Sequence, residues 1–387
     1  MNNKLIIAAA GSGKTTCLIE ETMNIKDGYV LITTYTENNV DEIKNKFVSK
    51  YKCVPSHVTI QTWFSFLIQH GVKPYQGTFN ELLFDVSIRG MVFVDDNQGK
   101  SPVKINDKTI YLPLKEETHF KKHYLSDLLK IYSDRLPKFV YKSNEATDGE
   151  IINRISRMYK YIFVDEVQDL AGYDLEIIKL LLDSPSTILL VEDPRQVTYL
   201  THHETKLNKY KNGKIEDFIN IECKKQNVEI DKNTLKVSHR NNKMVCDFSS
   251  KLYPEFEITL PCDCEQCRKY VIEHEGVFLV KPYDVDSYLK KINPVQLRWN
   301  RIKEVNDKYP VFNFGESKGK TFDNVLIYPT EDMEKWIIDH KYKLAYETRA
   351  KFYVAITRAK YSVAIICDYP NNTNLDGIQL YNLGFKT

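Results

Sequence analysis

Residues 4–25 read KLIIAAAGSGKTTCLIEETMNI, and the centre of this stretch decides what kind of sheet the chain must build. Gly11 and Gly13 let backbone N–H groups approach a phosphate, Lys14 supplies charge for the β/γ-phosphates, and Thr15 supplies a hydroxyl for magnesium. The whole loop, Ala10, Gly11, Ser12, Gly13, Lys14, Thr15 and Thr16, is the expected nucleotide cradle. KLIIA before it reads as a buried strand, and TTCLIEETMNI after it as a helix whose N-terminus faces the anion. The apolar run LIIAAA is too short for a secretory signal core. A strand, a phosphate loop and a helix in this order predict a parallel α/β sheet.

A second stretch completes that prediction. Residues 159–170, YKYIFVDEVQDL, are an apolar strand that ends in two acids. In phosphate hydrolysis Asp165 would hold magnesium together with Thr15, and Glu166 would position or activate the attacking water. Bulk properties are consistent with such an enzyme. The chain of 387 residues, 42% hydrophobic and 27% charged, has the composition of a globular protein with room for two or three cores. No apolar run has membrane-spanning length, and cytoplasmic placement is expected. Eight mostly scattered cysteines argue against a disulfide scaffold. A formal net charge of +2 gives no global case for nucleic acid, so any basic track must be local.

AAAGSGKTT, DEVQDL, VEDPRQVTY and VAITRAK together resemble the ordered motifs of superfamily 1 helicases of the UvrD/Rep type. The resemblance runs from residue 4 to about residue 366. It implies two RecA-like parallel-sheet domains with the nucleotide site between them, residues 1–198 and 199–387, and a small insertion in the first. ATP and magnesium are the implied cofactors. LLVEDPRQVTY resembles the segment in which Gln196 couples nucleotide state to the DNA track. LKVSHRNN places Arg240 at the arginine that reaches the γ-phosphate, and YVAITRAK places Arg358 at the arginine finger. Such a finger contributes on the order of 10³–10⁵ in rate. FGESKGKTFDNVLI aligns around Ser317, Lys318 and Gly319, with the first two on the DNA track and Gly319 at the nucleotide.

The same resemblance implies contacts to single-stranded or partly duplex DNA. Thr34, Tyr35 and Thr36 stand where the family has Thr-Phe-Thr, and Thr62, Trp63 and Phe64 form the next contacting motif, with Phe64 in place of the usual histidine. Tyr199 is a third aromatic at a track position. Each stacked base contributes roughly 1–3 kcal/mol, although any one aromatic in a chain with 25 tyrosines and 18 phenylalanines can equally be core. After Tyr199 the family's Arg-Gly segment is replaced by LTHHET, where His202 and His203 face either nucleic acid or solvent.

The chain departs from its larger relatives in three places. Residues 75–150, rich in Lys and Tyr, look like a reduced version of the family's first insertion, with lysines that either line a duplex or face solvent. Only 75 positions separate Arg240 from Gly315 (315 − 240), so the large second subdomain is expected to be absent. Seven residues precede Ala8, too few for an adenine-reading glutamine motif, and weak discrimination between ATP and GTP is expected. Within the short interval, CDCEQC brings Cys262, Cys264 and Cys267, with His274 shortly after. These four either bind zinc or form a loop of reduced thiols, since C-x-C-x₂-C is a less usual spacing than paired C-x₂-C.

The leading expectation is an ATP-dependent helicase or translocase on single-stranded DNA, moving 3′ to 5′. The rival is a DNA-sensing regulatory ATPase that licenses a partner nuclease in DNA repair or phage defence. A nucleotide kinase shares the phosphate loop but leaves DEVQDL and VAITRAK unexplained. No membrane partner is expected.

Overall fold

The computed structural model describes residues 2–94, 100–105, 108–198, 206–267, 272–370 and 375–381. It contains two six-stranded sheets, and the fold is that of two RecA-like α/β domains. The chain divides into two compact bodies. One comprises Met1–Leu5, Thr15–Glu192 and Leu200–Ile230, the other Ile6–Lys14, Asp193–Tyr199 and Asp231–Thr387. The phosphate loop, Ile6–Lys14, therefore groups with the C-terminal half of the chain.

The first sheet is built from β1 (Lys4–Ile7), β2 (Val30–Thr34), β3 (Val58–Thr62), β4 (Tyr161–Asp165), β5 (Thr187–Glu192) and β6 (Glu229–Asp231). Their order is β6-β1-β5-β4-β2-β3. The pairs β2–β3, β2–β4 and β4–β5 are parallel. Helices cover both faces of such a sheet, so its strands read as near-continuous apolar runs. Every residue of β2 is buried, as are Ile162 to Asp165 of β4. Helix α1 (Lys14–Asn24) follows the phosphate loop, and α2 (Glu37–Tyr51) follows β2. Thr36 caps α2 by accepting from the Asn39 N–H, and Lys52 ends it in the left-handed region at φ 66°. Helix α3 (Tyr173–Leu182) follows the two acids and buries Leu175, Ile178 and Leu181.

Between β3 and β4 the chain makes a substructure of its own. Gly90–Val92 pairs in parallel with Lys130–Tyr132, and Lys100–Ile105 forms an antiparallel hairpin with Lys108–Pro113. Phe79, Phe120, Tyr124 and Phe139 pack as an aromatic cluster with ring centroids 5.1–5.9 Å apart. Of its lysines, Lys121 and Lys122 are exposed, whereas Lys138 pairs with Glu116 at 2.6 Å.

The second sheet comprises β7 (Gly276–Val280), β8 (Val295–Arg298), β9 (Val311–Asn313), β10 (Phe322–Ile327), β11 (Ala359–Ile366) and β12 (Gln379–Leu380), in the order β9-β8-β10-β11-β7-β12. All its pairings are parallel. Helix α4 (Lys243–Ser250) and helix α5 (Tyr346–Ile356) contribute Phe248, Phe352 and Tyr353 to the apolar core beside Trp336, Val363 and Ile365. Burial of each large side chain contributes about 1.5–3 kcal/mol. Among the described residues, the interval from Arg240 to Gly315 holds α4, β7, the helix Val285–Ile292, β8 and β9. The connection from β8 to β9, residues 299–310, holds no helix.

Candidate nucleotide and nucleic-acid residues

In the second body the phosphate loop has the backbone that its sequence demands. Gly11 and Gly13 lie at φ 73° and 90°, a region that side-chain-bearing residues rarely enter. A Cβ on Gly11 would sit 2.7 Å from Arg240 Cβ and 2.7 Å from Ser238 Oγ. The Gly11 carbonyl accepts from the His239 N–H at 2.9 Å, and the Ala9 N–H donates to Leu235 O at 2.7 Å. Ser12 is buried, and its Oγ meets no hydrogen-bond partner among the described residues. An orphaned hydroxyl between two left-handed glycines, directly before α1, fits the oxygen of a bound phosphate. Ala10 is buried, Lys14 and Thr15 are half-buried, and Thr16 is exposed on the first turn of α1.

The arginines of the same body are tied to one another through short links. Arg358 is 2% exposed, and its Nη2 donates to Gln196 Oε1 at 3.1 Å. Its Nε donates to Val354 O and its Nη1 to Lys320 O. Gln196 Nε2 donates to Asp193 Oδ2 at 2.7 Å. Arg240 Nη1 donates to Thr357 O at 3.1 Å, so it shares the backbone of the residue preceding Arg358. Ser317 is fully buried with its Oγ on Phe314 O, Lys318 is half-buried, and Gly319 takes φ 83°.

Arg195, one residue before Gln196, is a participant that the motif reading passed over. Its Nε donates to Asp193 Oδ1 at 2.8 Å and its Nη2 to Ala8 O at 3.1 Å, at the entrance of the phosphate loop. Thr259 Oγ1 accepts from Nη1, and the guanidinium lies 5.2 Å from the Tyr353 ring. Burial opposes the charge, but the adjacent Asp193 carboxylate outweighs burial, and the arginine stays protonated above its ordinary range. The signal was an arginine two residues after the acidic pair Glu192 and Asp193 in VEDPRQV.

In the first body Asp165 ends β4, buried, and its Oδ1 accepts from the Glu166 N–H at 3.0 Å. Glu166 is itself in the left-handed region at φ 57°, which turns its carboxylate out of the strand direction. Gln168 Nε2 donates to Glu166 Oε2. A buried strand-end acid followed by a strained, turned carboxylate is a donor set suited to hard-cation and water chemistry.

The nucleic-acid candidates of this body lie at the C-terminal ends of two paired strands. Thr34 of β2 registers opposite Thr62 of β3. Thr34 Oγ1 accepts from Asn39 Nδ2, and Thr62 caps the helical turn Trp63–Phe66. Thr36 and Tyr35 are half-buried, with the Tyr35 ring 5.7 Å edge-on to Phe64. Trp63 differs from its expected role. It is 1% exposed, and its indole N–H donates to the buried Asp174 carboxylate at 2.7 Å, which leaves no ring face for a base. Tyr199, His202 and His203 lie outside the described residues.

The cysteine cluster also assembles differently from the linear reading. Cys262, Cys264 and Cys267 converge with His239, not His274. His274 is half-buried elsewhere, with Nε2 2.8 Å from Tyr288 Oη and its ring stacked on Phe278 at 4.1 Å.

Two family patterns match the chain. An AAA domain matches residues 1–202, and the viral superfamily 1 RNA helicase core domain matches residues 118–367. The chain belongs to superfamily 1 of the helicases. Its core is a superfamily 1 helicase core of the ATPase type. Among curated superfamily relatives, RecBCD enzyme subunit RecB of Borreliella burgdorferi is 26% identical over 166 residues, 41% of this chain and 13% of that protein. ATP-dependent DNA helicase Rep of Buchnera aphidicola subsp. Schizaphis graminum is 26% identical over 234 residues, 50% of this chain and 35% of the relative. The chain thus matches about a third or less of the length of these relatives. Among solved helicase structures, Arterivirus nonstructural protein 10 aligns over 94% of this chain and 59% of its own, at 14% identity and a TM-score of 0.46. Among the described residues no helix is long and apolar enough to cross a membrane.

Proposed function

We propose that this superfamily 1 helicase is an ATP-driven motor that moves 3′ to 5′ along single-stranded DNA. The observation that carries this reading is the bond from Arg358 to Gln196. It joins the finger that senses the γ-phosphate to the segment that reports nucleotide state to the track, so hydrolysis has a direct mechanical outlet. Lys14 and the backbone of Gly11 to Gly13 hold the β/γ-phosphates. Thr15 and Asp165 hold magnesium, which supplies positive charge to the phosphoryl oxygens. Glu166 takes the proton of the attacking water, and Arg240 and Arg358 neutralise the charge that develops on the transferred group. The half-buried Tyr35, Thr36 and Lys318 are the proposed contacts to the strand, and the buried Thr34, Thr62 and Ser317 support the backbone beside them. The name of the Rep relative supports DNA as the polymer.

A second reading has its own observation. The interval between Arg240 and Gly315 spends its described residues on short helices, strands and connections of the second body, so little surface is left to hold a separated duplex. Parting a duplex costs about 1.4 kcal/mol of stacking per step. This favours an ATPase that senses DNA and licenses a partner protein such as a nuclease, in repair or antiviral defence. One relative, RecB, is by its name a subunit of a larger enzyme.

One set of assays separates the readings. ATP turnover is measured without polymer, with single-stranded DNA and with RNA of the same sequence. Displacement of streptavidin from 3′- or 5′-biotinylated strands, and unwinding of duplexes of graded length, follow. The motor reading expects DNA-stimulated turnover and displacement from one end, the 5′ end. Stimulated turnover with no displacement from either end favours the sensor, and absence of stimulation by any polymer removes both. Glu166→Gln is expected to keep ATP and DNA binding while hydrolysis stops; near-normal turnover in that variant would reject its assigned role.

A further inference from the structure

Two short strands bring distant residues together in the second body. Val237–Ser238 pairs in parallel with Leu260–Pro261, in the register Val237 to Leu260 and Ser238 to Pro261. The Cys262 N–H then donates to Ser238 O at 2.8 Å, so the residues that follow the two strands, His239 and Cys262, come side by side. A turn closed by the Cys267 N–H on Cys264 O at 3.0 Å folds the other two thiols back. One ligand atom from each of His239, Cys262, Cys264 and Cys267 lies within 4.8 Å of every other. All four side chains are reachable from solvent, and the three cysteines form no disulfide.

The edge of this cluster from His239 to Cys267 has the length of a zinc tetrahedron's edge, and the others lie within 4.8 Å. Zinc–sulfur bonds of about 2.3 Å and zinc–nitrogen bonds of about 2.0 Å at tetrahedral angles require S···N edges of about 3.5 Å. Cys267 Sγ and His239 Nδ1 are 3.6 Å apart. Three sulfurs and an imidazole, with no carboxylate in the set, select zinc over magnesium or calcium. Four protein ligands leave no open position, which marks a structural centre rather than a catalytic one.

We propose that His239, Cys262, Cys264 and Cys267 hold one zinc ion, and that this centre positions Arg240. The link is short and covalent. The backbone N–H of His239 donates to the Gly11 carbonyl at 2.9 Å, and the next residue is the arginine whose Cβ sits against the Gly11 Cα. A metal on the imidazole fixes the His239 side chain and with it the backbone of residues 238–240. Metal occupancy therefore sets how firmly the phosphate loop and the γ-phosphate arginine are held together. His239 is a positioning residue in this scheme.

The test uses the full chain purified without chelator. Elemental analysis is expected to find about one zinc per chain, and cobalt exchanged into the site is expected to show the visible bands of a tetrahedral S₃N centre. His239→Ala and Cys264→Ser are expected to lose the metal, His239→Cys to retain it, and His274→Gln to retain it. Hydrogen exchange before and after zinc removal is expected to show faster exchange at the His239 and Arg240 amides, with the amides of β4 unchanged. Absence of zinc together with failure to take up cobalt overturns the site, whether or not the variants fold. Loss of metal in His274→Gln but not in His239→Ala overturns the ligand set. Unchanged exchange at His239 and Arg240 after zinc removal overturns the positioning role.

Discussion

Arg358 Nη2 donates to Gln196 Oε1 at 3.1 Å, and the same glutamine donates to Asp193 Oδ2 at 2.7 Å, so the proposed arginine finger is held by the segment proposed to couple chemistry to the track. Removing each end of this bond has a different expected result. Arg358→Ala is expected to lower kcat by about 10³-fold or more while nucleotide binding persists. Gln196→Ala is expected to reduce the ratio of polymer-stimulated to basal turnover. Steady-state ATPase assays with and without single-stranded DNA check both, and an unaltered ratio in Gln196→Ala would detach this residue from coupling.

Gly11 has no tolerance for a side chain. Its φ of 73° and the 2.7 Å approach of Arg240 Cβ mean that Gly11→Ala meets both backbone strain and overlap. The strain alone costs about 1–3 kcal/mol. Thermal unfolding is expected to shift down, and binding of a fluorescent ATP analogue to weaken by at least about tenfold, which corresponds to about 1.4 kcal/mol. A variant that binds the analogue normally would show that this backbone is not the phosphate cradle.

Trp63 and Tyr35 are expected to separate in their behaviour. Trp63→Phe removes a 2.7 Å bond to the fully buried Asp174 and is expected to destabilise the fold by about 1–3 kcal/mol, read by urea unfolding. Its affinity for single-stranded DNA, corrected for the folded fraction, is expected to stay within about twofold, below the loss of a stacked base. Tyr35→Ala, at a half-buried ring, is expected to weaken that affinity by about 1–3 kcal/mol, read by fluorescence anisotropy. The reverse pattern would restore Trp63 as a platform.

His70 makes the stability of the first body depend on pH. It is buried against Phe66 and Tyr159, and burial, assisted by the nearby Arg154, lowers its pKa from 6.5 to about 4. Between these values the unfolded chain binds a proton that the native state refuses, so stability is full above pH 6.5 and falls as pH drops towards 4. The loss reaches about 3 kcal/mol at the lower limit. Urea midpoints across this window are expected to fall less steeply in His70→Phe than in the parent chain, and equal slopes would remove His70 as the cause.

Much of this was legible in the chain itself, for a physical reason. A phosphate loop, a strand ending in paired acids and an arginine after an apolar helix are contiguous, and local geometry follows from a few neighbouring residues. Gly11, Gly13, Asp165 and Glu166 accordingly adopt backbone or strand-end positions suited to their motifs. His239 was not legible as a partner of the cysteines, because two-residue strands some twenty positions apart create that proximity. His274, nearer in sequence, is drawn away by stacking on Phe278 and by the hydroxyl of Tyr288. Trp63 illustrates the limit for aromatics: the same ring at a strand end serves a core or a base, and the buried Asp174, 111 positions away, decides the matter.

The link between β8 and β9 bears on how a chain of this kind grows. Parallel neighbours need a crossover of about a dozen residues, and residues 299–310 supply that length with an exposed stretch around Ile302, which is 87% exposed. Shortening it should tear a strand from the sheet, whereas lengthening it adds loop-closure entropy only slowly, about 0.6 kcal/mol per doubling. It is thus a natural grafting point. A compact folded module with adjacent termini, spliced after Ile302, is expected to leave thermal stability within a few degrees of the parent, and collapse of the fusion would show that this loop is part of the scaffold rather than a socket for new domains.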